Sequence, residues 1–273
     1  MNEIQEKYYI LNGTKNETKK FNHEINLQNS VYEVIRVLNG VPLFVEEHLD
    51  RLNESFKLIG SDYSLEKKQL ISYIDNLIKL NDCYNKNIKI VVTDINEEPN
   101  SLIYFIVSNY PTKEEYSNGV NAVLFKAVRD NPNAKVIHTS FRESIKEKLD
   151  KHQAYEAILV NHSNEITEGS RSNIFLVKDN TVFTPPADDV LKGITRKRII
   201  ELCNSLNICV IEKTIAVDFL KESEGLFMTG TSPKVLPIAS VDDLLFNSNV
   251  HPLILKIIDE YNFLISNYIK DYV

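Results

Sequence analysis

The chain is 273 residues long, 43% hydrophobic and 25% charged, the make-up of a globular protein large enough for two modest domains. Its formal net charge of -7 argues against a general nucleic-acid or anionic-membrane binder, because phosphate-rich partners need clustered Lys and Arg. No apolar run approaches the roughly 20 residues that span a bilayer and residues 1–7 carry no apolar signal core, so a cytoplasmic protein is expected, with Cys83, Cys203 and Cys209 as buried structural thiols.

Two Asn-Gly pairs organise the first elements. Residues 8–11 run into Asn12-Gly13, and residues 31–38 into Asn39-Gly40 and then 41–45. Asn-Gly tolerates the positive φ angles of a type I′ turn, so each pair predicts a β-hairpin. Residues 46–59 follow as a helix, with Leu49, Leu52, Phe56 and Ile59 on one face and Gly60 as the stop. A second helix over 65–80 places Leu70, Ile74, Leu77 and Ile78 on its apolar side, with Ser64 as N-cap. Residues 88–93 and 102–107 read as strands about a turn at 96–100. The polar, Pro111-containing stretch 108–119 reads as a hinge between two lobes, residues 1–113 and 114–273.

In the second lobe strands alternate with helices. Strands are expected at 121–127, 157–160, 166–167, 174–177, 182–184, near 210 and at 225–228. Helices are expected at 141–152, 195–206, briefly near 218, and at 252–269. Hairpins in both lobes and mixed element order point to an α+β fold rather than a doubly wound sheet.

The segment richest in polar signal is Tyr155-Glu156-Ala157-Ile158-Leu159, then Glu168-Gly169-Ser170-Arg171-Ser172-Asn173-Ile174-Phe175, then Gly193-Ile194-Thr195-Arg196. Together these resemble the signature of the class IV (fold type IV) aminotransferases, a pyridoxal-phosphate family that includes branched-chain and D-amino-acid aminotransferases and aminodeoxychorismate lyase. Val31-Tyr32-Glu33-Val34-Ile35-Arg36, Glu47-His48-Leu49-Asp50-Arg51-Leu52 and Phe227-Met228-Thr229-Gly230-Thr231-Ser232 are similar to further blocks of that family, in the same order. The resemblance implies a smaller N-terminal lobe and a larger C-terminal lobe with a barrel-like mixed sheet. It also implies pyridoxal 5'-phosphate as cofactor, small-molecule amino acid and keto acid substrates, and a homodimer.

Carried over residue by residue, the resemblance makes Glu168 the partner of the pyridine nitrogen, where a carboxylate keeps the ring able to accept electrons. On its own, Glu168 reads equally as a surface acid at a strand end. The phosphate would meet the amides of Ile194 and Thr195, the Thr195 hydroxyl, Gly230, Thr231 and the Arg51 guanidinium. A loop that opens a helix presents free N–H groups to an anion, and the Arg fork matches phosphate oxygens. A plain N-cap and an exposed helix arginine are the ordinary alternatives for Thr195 and Arg51. The resemblance makes Lys135 the catalytic lysine, because the family's lysine precedes the Tyr-Glu-Ala-Ile-Leu strand as Lys135 precedes Tyr155, by twenty residues. Relatives often read Lys-x-x-Asn there, whereas this chain has His138, either a replacement for that amide or a structural histidine.

Tyr32 is expected on the substrate side or in the core. Tyr110 and Ser232 are expected near the substrate carboxylate. D-amino-acid enzymes carry an arginine and a histidine in the loop where this chain reads Ser108-Asn109-Tyr110-Pro111, and the arginine of branched-chain enzymes is missing too. The neutral loop leans toward an apolar L-amino acid donor with a 2-keto acid such as 2-oxoglutarate. A lyase of the aminodeoxychorismate type, a D-amino-acid or amine transaminase, and a non-catalytic descendant remain as alternatives.

Overall fold

The computed structural model describes residues 3–21, 30–95, 97–128, 132–137 and 139–272. It divides into two compact units: residues 1–109, 134–139 and 267–273 in the first, and 110–133 and 140–266 in the second. Two short segments from later in the chain thus join the first unit.

The first unit is an antiparallel six-stranded sheet backed by two helices. Its strands are β1 (Ile4–Leu11), β2 (Thr14–Glu17), β3 (Val31–Leu38), β4 (Val41–Pro42), β5 (Asn87–Thr93) and β6 (Asn100–Ile106), in the order β2-β1-β6-β5-β3-β4. Asn12 and Gly13 have φ of 48° and 78°, Asn39 and Gly40 of 52° and 81°, so both Asn-Gly hairpins form on the backbone geometry expected of them. Helices α1 (Val45–Leu58) and α2 (Lys67–Asn81) bury Leu49, Phe56, Leu70 and Ile74 against Ile35 and Ile90 of the sheet. Ser64 does not cap α2: the N-cap is Glu66, with no side-chain cap hydrogen bond. The opposite face of the sheet carries Tyr9, Tyr32, Val91, Leu102 and Tyr104.

The second unit holds a ten-stranded mixed sheet. Its path begins with helix α3 (Lys113–Asn118) and β7 (Val120–Lys126), then α4 (Thr139–His152), β8 (Glu156–Val160), β9 (Glu165–Gly169), β10 (Asn173–Lys178) and β11 (Thr181–Thr184). Helix α5 (Ile194–Ser205), β12 (Val210–Glu212), β13 (Ile215–Ala216), β14 (Gly225–Gly230), β15 (Lys234–Val241), β16 (Leu244–Leu245) and residues 252–266 of α6 (Pro252–Tyr272) complete it. β7 runs parallel to β8 and to β15, while β10, β14 and β15 are antiparallel neighbours. The fold is α+β, as the element order implied.

Three features differ from the sequence reading. Helix α3 occupies part of the expected hinge and starts with a capping box, in which Thr112 Oγ1 accepts from Glu115 N at 3.1 Å and Glu115 Oε2 from Thr112 N at 2.6 Å. Strand β15 was not expected. Pro237 sits in its middle and removes a backbone donor, yet β15 lies between β14 and β7, with Pro237 just before Ile238, the first residue paired to β7. Of the cysteines only Cys203 is buried; Cys83 is half-buried and Cys209 exposed, because Cys209 follows the end of α5 at the surface. His138 and Asn96, part of the expected turn at 96–100, lie outside the described residues. Among the described residues no helix is long and apolar enough to cross a membrane.

Candidate functional site

In the first unit, polar groups collect around β3. Val31, Ile35 and Val37 point at the helices, so strand alternation puts Glu33 on that same apolar side. The Glu33 side chain is fully buried, and α1 supplies its partners. Arg51 Nε donates to Glu33 Oε2 at 2.9 Å and Nη2 to Oε1 at 2.7 Å, while His48 Nδ1 lies 3.2 Å from Oε1. His48 and Arg51 are three apart on one helix and thus share a face. Burial pushes the Glu33 carboxyl up, but Arg51 above all, with His48 and Lys135, overrides it and holds the group well below the usual carboxylate range. For His48 burial dominates, and its pKa is pushed down despite Glu33.

The segment carrying Lys135 is laid against the start of β3. Tyr32 N donates to Lys135 O at 3.0 Å, Ile137 N to Ser30 O at 3.1 Å, and Lys135 N to Ser55 Oγ at 3.3 Å. Lys135 is half-buried, with Nζ 5.1 Å from the centre of the Tyr32 ring. A second lysine, Lys89 on β5, lies 5.2 Å from the same ring. Its side chain is only 3% exposed, and Nζ reaches Glu3 Oε1 at 2.7 Å. The structure thus sets Lys135 beside Tyr32, and Arg51 against Glu33 on the helix side of β3. Glu33, His48 and Lys89 were missed in the sequence, although Glu33 breaks the apolar parity of β3 and could have been noticed for that reason.

In the second unit, the expected residues gather where β9, β10, β14 and α5 end or begin. Glu168 is 3% exposed, and its Oε2 accepts from Leu191 N at 3.1 Å. Asn173 Nδ2 donates to Leu191 O at 2.9 Å. The loop that precedes α5 is therefore held from both β9 and β10. Gly193 is the α5 N-cap and offers no side-chain cap, while Ile194 and Thr195 are buried at 7% and 6% exposure. Across the sheet Asn173 pairs with Thr229, which leads directly into Gly230; Thr231, Ser232 and Tyr110 are half-buried in the same unit. A 12-residue helix with an uncapped N-terminus, a buried hydroxyl at Thr195 and a buried carboxylate at Glu168 is a donor and acceptor set that fits a phosphate-bearing aromatic cofactor.

Close packing at Gly193 makes that arrangement testable. A Cβ there would fall 2.1 Å from Asn173 Oδ1, and the backbone φ of -62° is ordinary, so the obstacle is contact alone. Gly193→Ala should cost about 1–3 kcal/mol by overpacking, read as a lowered melting temperature. Shortening the neighbour with Asn173→Ser should restore part of that loss; equal stability of Gly193→Ala and the parent protein would rule out the close approach.

Residues 30–241 match the family described as amino-transferase class IV. A D-alanine aminotransferase of Bacillus licheniformis is 30% identical over 226 residues, 78% of this chain and 79% of that protein. Among solved structures, the branched-chain amino acid aminotransferase of Escherichia coli superposes with a TM-score of 0.85, at 24% identity over 96% of this chain and 95% of that one. A T.th. branched-chain amino acid aminotransferase, solved with pyridoxamine 5'-phosphate, gives a TM-score of 0.85 at 21% identity, covering 97% and 95%. With most of its length matched by the family pattern, the chain belongs to the class IV aminotransferases.

Proposed function

We propose that this protein is a pyridoxal-phosphate-dependent aminotransferase that moves an amino group from an apolar L-amino acid to a 2-keto acid such as 2-oxoglutarate. The observation that carries the reading is the anchoring of Lys135. Its backbone is bonded at both N and O, which leaves a half-buried amine beside Tyr32. Bound pyridoxal phosphate supplies an electron sink for the pair released when the substrate Cα–H bond breaks. In this chain Lys135 would hold the cofactor, and its amine would take the α-proton and deliver it again on the same face. Glu168, buried and oriented by Leu191 N, would keep the ring nitrogen protonated. Carried over from the family, the amides of Ile194 and Thr195, the Thr195 hydroxyl, Gly230, Thr231 and Arg51 would hold the phosphate.

Tyr32, Tyr110 and Ser232 border the substrate. The aromatic face of the first sheet, with Tyr9, Tyr32 and Tyr104, suits an apolar side chain, and the neutral run Ser108-Asn109-Tyr110-Pro111 supplies no fixed charge to select a D-amino acid.

The test is a screen of L- and D-amino donors with 2-oxoglutarate, scored by keto acid formed. Turnover of L-leucine, L-valine or L-isoleucine well above that of D-alanine is the expected result. Preference for D-alanine would keep the family and overturn the donor assignment. Release of pyruvate and an aryl amine from aminodeoxychorismate, with no transamination, would keep the family and overturn the transaminase reading in favour of a lyase.

A further inference from the structure

Glu156, the first residue of β8, is a buried carboxylate at 5% exposure. The donors recorded on it are all neutral. Oε1 accepts from Ala157 N at 2.8 Å, Ser170 N at 3.0 Å and Ser170 Oγ at 2.5 Å, and Oε2 accepts from Ser172 Oγ at 2.8 Å. Burying a charge is costly unless hydrogen bonds compensate it, and here the compensation comes largely from one short turn, Ser170-Arg171-Ser172. The turn closes tightly over the carboxylate: Gly169 N donates to Ser172 O at 2.8 Å. A Cβ on Gly169 would fall 2.0 Å from Ser172 Oγ and 3.0 Å from Glu156 Oε2. Both serine hydroxyls therefore face inward, to Glu156.

The two ends of that turn act on one place. Glu168 lies just before Gly169, and its Oε2 holds Leu191 N; Asn173 lies just after Ser172, and its Nδ2 holds Leu191 O. Leu191 is two residues ahead of Gly193, the N-cap of α5. We infer that Glu156 is a positioning residue: by gathering the 169–172 turn it sets, together, the direction of the Glu168 carboxylate and the seat of the α5 N-terminus. The inference rests on the cofactor reading proposed above and deepens it, since it assigns the serines of the Glu-Gly-Ser-x-Ser block to Glu156 rather than to a ligand.

The experiment uses the full chain and pyridoxal phosphate as probe, with Glu156→Ala, Glu156→Gln and the double variant Ser170→Ala/Ser172→Ala. For each, cofactor Kd, the absorbance of the bound form across pH, and the melting temperature without cofactor are measured. Glu156→Ala and the double variant should weaken Kd by about 10- to 100-fold, the range seen when a hydrogen-bond partner behind a ligand-holding group is removed. They should also shift the pH midpoint of the bound absorbance, because Glu168 is reoriented. Glu156→Gln keeps an oxygen for Ala157 N and Ser170 N and should recover most of the Kd. If Glu156→Ala does not fold, the double variant, which keeps the carboxylate, decides. Folded variants with lowered melting temperatures but parental Kd and parental pH midpoint would overturn the inference and leave the aminotransferase reading intact. A parent protein that takes up no pyridoxal phosphate would overturn both.

Discussion

Lys135→Ala is expected to lower kcat by at least about 1,000-fold, since under the proposed function it removes both the covalent attachment and the proton carrier in one step. The fold should survive. The bonds that seat this segment are main-chain ones, Tyr32 N to Lys135 O and Lys135 N to Ser55 Oγ, and alanine retains both. The measurement is peptide mapping of the parent protein after pyridoxal phosphate and borohydride, beside activity and melting temperature of the variant. A pyridoxyl group fixed on Lys135, with an inactive and folded variant, is the expected combination. A label on another lysine would remove Lys135 from the site while leaving the family membership untouched. A variant that loses activity only because it unfolds would show a melting loss that the retained backbone bonds do not predict.

Glu33→Gln should have the largest effect on stability. The carboxylate is fully buried and held by two Arg51 hydrogen bonds. Neutralising it leaves a guanidinium in the interior without its counter-charge, a change that typically costs about 3–5 kcal/mol. In a chain of this size that corresponds to a melting temperature lower by on the order of 10 °C. The pH dependence follows from the same group. Its folded pKa lies below the unfolded value near 4.5, so the unfolded state binds the proton more readily. The stabilisation is complete above about pH 5, and it is lost as pH falls through 4.5 toward the folded pKa. Thermal melts of the parent from about pH 5 downward into acid should show this loss, and Glu33→Gln should lack that part of it. Parallel melting curves for parent and variant across the range would show that Glu33 is not the group responsible.

Arg51 illustrates how a functional assignment gains content from packing. As a sequence feature it was a candidate phosphate ligand on a helix, or an exposed helix arginine. Its side chain is 9% exposed and directed at Glu33, so it is not an exposed arginine. A buried carboxylate that orients an arginine fork limits its rotamers, which lowers the entropy lost when the guanidinium meets an anion. Lysine at 51 could not reproduce the two parallel bonds.

Much of the fold was legible because it depends on neighbours in sequence. Asn12-Gly13 and Asn39-Gly40 adopt the positive φ angles that their side chains permit, and the spacing of Leu49, Leu52 and Phe56 is enough to bury one face of α1. The capping box at Thr112 and Glu115 was equally local and was passed over because α3 has no buried residues. Strand β15 was hidden for a different reason. Pro237 argues against an interior strand, and only the position of β7, which begins pairing one residue later, shows why it is tolerated.

The sequence by itself determined the α+β class, the hairpins, the main helices and the class IV aminotransferase blocks, because backbone preference, apolar period and motif spacing act over a few residues. Tertiary structure alone decided where the charges go. Glu33 meets Arg51 across 18 positions, Glu156 meets Ser172 across 16, and Lys89 meets Glu3 across 86. A buried charge is stable only where the folded chain brings its partner, and no local pattern records which partner that is.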